Sequence, residues 1–398
     1  MKRNALDEWI NQTGIADPPA SWIRYILQSE QCANLSCLPS EDYLRQMSET
    51  SSLPKGQLRQ MLSIRSKVFH DPILERLFHL WHTILFVDQC ASDEAYEDWP
   101  MPFTMDDNDA ALFRALVISS GTANMERALI NGGLPEWRYF CRQQFVHETE
   151  THFNVHGIFG LSNNQMWWLW PVFLGRVFPI GRLTYEIAYY SSGWEVFRNK
   201  EGRILLMTGS HGQCYDEEGN EAEDGIHESE FSLTPKHAVG NYFDRTGSYV
   251  KDPITLDLSE WTRLVEQGPP VLSLHIPGGG KLNPGEVKES LTEATRFFRT
   301  KFPDLHFRIF MCHSWLLDTK LSELLPSSSN ILAFQSMFTI ALANPNDDAL
   351  FSFVFGVQTR DMDQLSPKNE FQEQLLDYVR SGGRLREGFG VISFPYIP

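Results

Sequence analysis

The sequence predicts an α+β protein in which an all-helical N-terminal domain precedes a mixed α/β C-terminal domain. In the first third of the chain, apolar residues recur at the spacing of a helical stripe, most clearly after Asp71-Pro72. Residues 182–189 instead alternate as a half-buried strand does. Further on, the apolar run Val271–Ile276 leads through three glycines into a helical pattern. We place the two domains at residues 1–130 and 131–398.

Local signals place the helices of the first domain. Asp71 is a predicted N-cap, and Pro72 occupies the first helical position, where its missing N–H costs nothing. Ser40 opens another helix that carries acidic residues in its first turn. Further helices are predicted over residues 109–119, 124–130 and 136–151.

The second domain alternates strands with helices. A helix is predicted from Pro284 through Phe298, and a short one over residues 319–325. The predicted strands lie at residues 182–189, within 193–208, and at 271–276, 305–315, 331–343 and 349–357.

Composition excludes several classes of protein. The chain has 398 residues, of which 42 % are hydrophobic and 21 % charged, as in globular proteins. Its formal net charge of −17 argues against a nucleic-acid or membrane-surface binder, since both need a concentrated basic face. Six cysteines without a paired framework indicate reduced thiols. With no apolar N-terminal leader and no membrane-length apolar run, we expect a cytoplasmic protein.

Five segments, in order, resemble the GNAT-like C-terminal domain of bacterial acyltransferase-domain proteins, and the helical part resembles the N-terminal domain paired with it. The resemblance implies a GNAT-like mixed α/β fold, a thioester cleft and N-acyltransferase activity, with acyl-CoA or acetyl-CoA as co-substrate. The segments are Phe178–Glu186, Leu274–Gly280, Cys312–Leu317, Ser329–Gln335 and Gly382–Gly390.

In such a fold two neighbouring parallel strands separate, and the pantetheine arm of the donor pairs with one of them. The resemblance makes Val271–Ile276 the pantetheine strand and places the diphosphate at the glycine loop and the helix start that follows. Pro277 and the sequence Lys281-Leu-Asn-Pro depart from the usual phosphate loop, which leaves CoA and an acyl carrier protein both open as the donor's carrier. The predicted donor-binding residues are Ser273, Leu274, Ile276, Gly278, Gly279, Gly280 and Lys281.

Acyl transfer to an amine needs a base for the ammonium proton, a donor for the oxyanion and a proton for the thiolate. His275 ends the predicted pantetheine strand and titrates in the right range, so it is a candidate base. Glu186 is a second candidate if burial raises its pKa. His313 and Ser314 are candidates for positioning the substrate or protonating the thiolate.

The sequence also contains candidate residues for covalent catalysis and for metal binding. Cys312 and His313 adjoin along a strand, so they point to opposite faces and cannot form a Cys–His pair easily, and a buried thiol fits Cys312 better. His152 and His156 would share a helical face if the helix continued that far, but no zinc spacing surrounds them. We expect no metal.

The predicted function is a transfer of an acyl group from a thioester to a small-molecule or peptide amine, by direct attack. The alternative is a non-catalytic acyl-CoA-binding or protein-interaction module that retains the fold. A third alternative, an acyl-enzyme on Cys312, would leave a covalent adduct on that residue. Acyl length, acceptor and oligomeric state stay open.

Overall fold

The computed structural model of the chain forms two compact units, Met1–Val177 and Phe178–Pro398. The predicted boundary between residues 130 and 131 lies outside the described residues and stays a prediction, whereas the contacts divide the chain after Val177. The described residues are 2–27, 37–51, 53, 55–87, 99–121, 135–209, 212–216, 225, 227–266, 268–278, 280–345, 350–356 and 361–397.

The first unit is helical, as predicted. Asp71 caps α5 by accepting hydrogen bonds from the N–H groups of Ile73 and Leu74, with Pro72 at the first position. The helix predicted over residues 124–130 lies outside the described residues. Among the described helices, none has the length and apolar character needed to cross a membrane. The helices are α1 (Lys2–Thr13), α2 (Ala20–Leu27), α3 (Glu41–Ser51), α4 (Lys55–His70), α5 (Pro72–His82), α6 (Asp107–Ser119), α7 (Pro135–His156) and α8 (Asn163–Phe173).

Aromatic rings fill the core of the first unit. Trp22, Trp81 and Trp99 contact one another with ring centroids 4.9–5.8 Å apart. Trp99 also contacts Trp167 of α8, and Trp81 contacts Phe113 of α6. Because aromatic pairs in tilted or edge-to-face geometry add to the free energy of burial, this cluster ties four helices and the loop at Trp99 together.

The second unit contains two six-stranded sheets. Sheet I has the strand order β1-β2-β11-β12-β14-β13, and sheet II has the order β10-β3-β4-β8-β7 with β9 beside β8. A two-stranded pair, β5 and β6, completes the unit's strands in the described part of the chain. The strands are β1 (Val177–Ile180), β2 (Leu183–Tyr189), β3 (Trp194–Asn199), β4 (Ile204–Thr208), β5 (Cys214–Tyr215), β6 (His227–Glu228), β7 (Phe231–Leu233), β8 (His237–Phe243), β9 (Tyr249–Asp257), β10 (Trp261–Arg263), β11 (Pro270–His275), β12 (Ile309–Ser314), β13 (Thr339–Pro345) and β14 (Arg386–Ser393).

Each face of sheet I is covered. One face packs on sheet II, where Val271, Ile309 and Met311 share a buried cluster with Val196 and Leu206. The other face packs on α9 (Pro284–Lys301), as the rings of Phe298 and Tyr185 show with centroids 6.2 Å apart. Shorter helices follow, namely α10 (Leu321–Leu324), α11 (Asn330–Gln335) and α12 (Glu370–Arg380).

The last third of the chain differs from the prediction. The strand predicted over residues 331–343 is a helix up to Gln335 and a strand only from Thr339, because Ser329 caps α11 through the N–H of Ile331. Residues Leu350–Phe355 form a π-helical turn instead of a strand. Short apolar runs do not distinguish strand from helix by periodicity, and the insertion of β14 between β12 and β13 had no local signal.

Phe298 anchors α9 to sheet I. The side chain is 0 % exposed and its ring contacts Phe178, Tyr185 and Phe307. We expect Phe298→Ala to lower the free energy of unfolding by about 3–5 kcal/mol, because the substitution removes a buried ring and leaves a cavity among its aromatic neighbours. Denaturant unfolding followed by circular dichroism checks this.

The matched control is Phe353→Ala, whose side chain is 76 % exposed. It should change the free energy of unfolding by less than about 0.5 kcal/mol. Equal losses from the two substitutions would contradict the packing of α9 described above.

Candidate functional site

The two central parallel strands of sheet I part from each other. β11 pairs with β2 over its whole length, to His275 opposite Thr184. β12 pairs with β14 over its whole length, to Ser314 opposite Gly388. Between β11 and β12, however, the ladder consists of two residue pairs and ends at Ser273 opposite Met311. Within this described part of the sheet, both strands continue past the end of their shared ladder, so an opening separates them.

Polar side chains gather on one face at this opening. Residues opposite each other in a ladder share a face, and so do residues two apart in one strand. The registers therefore place Glu186, Ser273, His275 and His313 on the face toward sheet II. His275 Nε2 lies 2.9 Å from Glu186 Oε2, and the two side chains are 33 % and 20 % exposed. A solvent-accessible, hydrogen-bonded His–Glu pair thus stands where the strands separate.

His313 lies near the end of β12, next to the opening. Its side chain is exposed by surface area, yet protein surrounds it closely enough to desolvate the ring. This desolvation, with repulsion from His275, lowers the pKa of His313 to about 4. The ring packs on Phe389 with centroids 4.8 Å apart, and Phe389 in turn stacks on Trp194 at 4.7 Å. At neutral pH, His313 is therefore an uncharged imidazole next to His275.

Other predicted residues lie on the opposite face. The side chain of Leu274 is 2 % exposed and lies on the face of sheet I opposite His275, so only the backbone of Leu274 reaches the opening. Ser314 accepts a hydrogen bond from the N–H of Leu316 at 3.2 Å and belongs to the same face by alternation. Cys312 is 1 % exposed, and burial, with a contribution from Glu387, raises its pKa to about 12. A buried thiol with that pKa does not supply a thiolate nucleophile.

The loop after β11 is held by a side chain that the sequence did not single out. The guanidinium of Arg182 donates to three loop carbonyls, those of Pro277 (3.0 Å), Gly280 (2.7 Å) and Lys281 (2.9 Å). Ile276 is half-buried at the start of the loop, and Gly279 lies outside the described residues. A β-carbon on Gly278 would meet nothing within 4 Å, so no chain neighbour demands a glycine there.

The start of α9 differs from the expected phosphate-binding helix start. Asn283 caps the helix by accepting the Gly285 N–H at 2.9 Å, and its backbone carbonyl accepts the Val287 N–H. Pro284 has no N–H to offer, and Glu286 places a negative charge in the first turn. The first turn of α9 therefore has few N–H groups available to a phosphate. The loop between β11 and α9 remains the place where backbone N–H groups can face outward.

A cavity of about 1860 Å³ lies elsewhere in the second unit. The β3–β4 turn, the β8–β9 turn and the end of β14 line it, with Arg198, Arg245 and Ser393 among the lining residues. Glu186, His275 and His313 do not line it. Because the groups able to move a proton lie at the β11–β12 opening, we place the candidate site there and not in this cavity.

α7 runs through His156, so His152 and His156 do share a helical face, with ring centroids 4.6 Å apart. The described residues bring no third histidine, cysteine or carboxylate together with them as a metal-binding group. His152 Nδ1 lies 2.9 Å from the carbonyl of Ile158, an interaction that ties the helix end to the next segment. A structural role accounts for His152.

The sequence matches the family model of the GNAT-like C-terminal domain over residues 177–392, which is more than half of the chain. The protein belongs to this family. The match begins one residue before the second unit and includes both the opening and the glycine loop. No curated protein matches the sequence significantly.

Solved structures share the fold of this GNAT-like protein. An acyltransferase in complex with decanoyl-CoA and teicoplanin is 18 % identical, with a TM-score of 0.64 over 98 % of this chain and 99 % of that one. An acyltransferase in complex with decanoyl-CoA is 20 % identical, with a TM-score of 0.63 over 97 % of this chain and 98 % of that one. At these identities the likeness is one of fold.

Three residues of the site, Arg182, Trp194 and Phe389, were not predicted from the sequence. Arg182 lies in Phe178–Glu186, one of the segments that carry the resemblance. Its place at the loop follows from the β2–β11 register: Thr184 is opposite His275, so two residues further along Arg182 comes opposite Pro277. Trp194 and Phe389 reach the site through sheet II and through β14, whose partners are far away in sequence. Contacts between residues so far apart in the sequence cannot be predicted from a local sequence pattern.

The pKa of His313 can be tested directly. Its value of about 4 lies below the usual 6.5, so the unfolded chain binds the proton first as the pH falls. The contribution of His313 to stability is therefore complete above the usual pKa and is lost as the pH falls toward 4. NMR titration of the histidine ring resonances, assigned with His313→Gln, should give an inflection well below pH 6. An inflection near 6.5 would show that the ring is fully hydrated.

Proposed function

We propose that the protein is an N-acyltransferase that moves an acyl group from an acyl-CoA thioester to an amine by direct attack. The observation that carries this proposal is the opening between β11 and β12 with the His275–Glu186 pair at its edge. A strand edge without a partner strand can pair with an extended chain that carries amide groups. The pantetheine arm is such a chain, and it would bring the thioester to His275.

Donor binding divides between backbone and loop. The backbone of Leu274 and Ile276 would pair with the pantetheine amides, with the Ser273 side chain on the reacting face. The N–H groups around Gly278 and Gly280, together with the charge of Lys281, would hold the diphosphate. The structures of similar fold that contain CoA and decanoyl-CoA support CoA as the carrier, in preference to an acyl carrier protein.

His275 would act as the general base. The Glu186 carboxylate accepts the hydrogen on His275 Nε2, which orients the ring and keeps the lone pair of the neutral imidazole on Nδ1. The amine loses a proton to His275 and attacks the thioester carbonyl. The carbon–sulfur bond then breaks, and the imidazolium returns its proton to the leaving thiolate. Glu186 is thus a positioning residue that also stabilises the imidazolium.

His313 would polarise the thioester carbonyl. A neutral imidazole keeps one N–H and can donate it to the developing oxyanion without releasing a proton. This replaces the expectation that His313 protonates the thiolate, because its low pKa leaves it uncharged at neutral pH. Ser314 lies on the other face, where its hydroxyl caps the following turn, so we assign it no role in proton transfer.

The acceptor would be a small molecule with a free amine. One acyltransferase of similar fold was crystallised with CoA and 10C-teicoplanin, which supports an acceptor of small-molecule type. The acidity of the chain, −17 in net charge, favours the approach of a cationic amine over that of an anion.

Substitution of His275 distinguishes between the two candidate functions, an acyltransferase and a non-catalytic binding module. We expect His275→Ala to lower kcat/KM by about 10²–10⁴-fold with binding of decanoyl-CoA unchanged, because a general base contributes that much. Thiol release from decanoyl-CoA with a panel of amines measures the rate, and calorimetry measures the binding. Glu186→Gln should cause a smaller loss. Stabilisation by CoA thioesters without thiol release from wild type would instead establish the binding module.

Cys312 provides a control for direct attack. Its thiol is buried on the face away from His275, so Cys312→Ala should keep at least about half of the transfer rate. Intact-mass spectrometry of wild type during turnover should show no acyl adduct. An acylated Cys312, together with an inactive Cys312→Ala, would contradict direct attack and establish an acyl-enzyme.

A further inference from the structure

Arg182 closes the loop that follows β11. Its Nη1 bonds the carbonyl of Pro277 at the start of the loop, while Nη2 and Nε bond those of Gly280 and Lys281 at its end. One guanidinium group, planar and charged, thus bridges both ends of the loop from a position 95–99 residues earlier in the sequence. Charge-assisted hydrogen bonds of this kind are the stronger ones in proteins.

These bonds fix the direction of the loop's N–H groups. In a trans peptide, the C=O and the N–H of the next residue point in opposite directions. Since the carbonyls of Pro277, Gly280 and Lys281 face Arg182, the N–H groups of Gly278, Lys281 and Leu282 face away from it. Among the described residues, these three N–H groups have no hydrogen-bond partner in the chain. Such outward N–H groups suit an anion.

Arg182 also supplies charge that the helix start does not. The Gly285 N–H is capped by Asn283, Pro284 has no N–H, and Glu286 is acidic, so the first turn of α9 offers an anion little. The guanidinium lies behind the loop carbonyls and adds one positive charge to that of Lys281. Gly181, at a φ of +62°, forms the turn that brings Arg182 here, and a β-carbon on it would meet Ser290 Cβ at 3.1 Å.

We propose that Arg182 is a positioning residue for the diphosphate of the donor. It holds the loop with its N–H groups turned outward and thereby takes the place of the helix start. The inference rests on the proposed function, because the diphosphate belongs to the acyl-CoA. Under this proposal, Arg182 is necessary for tight binding of a donor that carries the diphosphate. The affinity for a donor that lacks the diphosphate does not depend on Arg182.

A lysine should not replace Arg182. The guanidinium is planar and presents five N–H groups in a fixed fork, so it can reach three carbonyls at once. An ammonium is a point charge on a flexible stem and would leave part of the loop unbridged. Arg182→Lys therefore retains the charge and removes the clamp, whereas Arg182→Gln removes both.

The test compares two donors with one acyl group. Calorimetry on the full chain measures binding of decanoyl-CoA and of decanoyl-pantetheine, which lacks the diphosphate and nucleotide. We expect Arg182→Gln to weaken binding of decanoyl-CoA by about 10- to 100-fold and to leave decanoyl-pantetheine within about twofold. Arg182→Lys should weaken the binding of decanoyl-CoA almost as much as Arg182→Gln does. The matched control Arg299→Gln removes an exposed charge from α9 and should change neither affinity.

Three results would overturn the role of Arg182. These are wild-type affinity of Arg182→Gln for decanoyl-CoA, an equal loss for both donors, and full recovery in Arg182→Lys. Melting temperatures close to that of wild type exclude unfolding as the cause of a selective loss. Failure of the proposed function looks different: wild type would then bind neither donor, or would bind decanoyl-CoA and release no thiol with any amine, whatever residue occupies position 182.

Discussion

The site depends on the place where one ladder of backbone hydrogen bonds ends. β11 and β12 remain paired with β2 and β14 on their outer sides, so the sheet is held on both flanks while its centre opens after Ser273 and Met311. Backbone groups left unpaired in this way can hydrogen-bond an extended ligand, and such pairing would fix the depth of the ligand. In the proposed function, the flanking ladders would place Glu186, His275 and His313 around the end of that ligand.

Packing on both faces keeps the opening in shape. α9 covers one face through Phe298, and sheet II covers the other through a buried cluster that includes Val271 and Met311. The same packing sets the electrostatics of the site: burial keeps Cys312 a thiol, and desolvation by the surrounding protein, with repulsion from His275, lowers the pKa of His313. Fold and chemistry therefore follow from one arrangement: a sheet buried on both faces and open between its central strands.

The sequence was informative where the signal is local. The cap at Asp71, the strand β2 and the helix from Pro284 are confirmed, because each depends on neighbouring residues. His275 and Glu186 were chosen separately, and their contact depends on an antiparallel register across 89 residues that no local pattern encodes. The role of Arg182 and the insertion of β14 depend on such long-range pairing, so they could be found only from the structure.

A crystal structure with a non-transferable thioether analogue of decanoyl-CoA would test the central claim most directly. We expect the pantetheine arm to lie between β11 and β12, with its amides bonded to the backbone beyond Ser273. The sulfur should lie near His275, and the diphosphate on the N–H groups of Gly278 and Lys281. An analogue bound in another cavity, with the β11–β12 opening filled by protein or water, would contradict it.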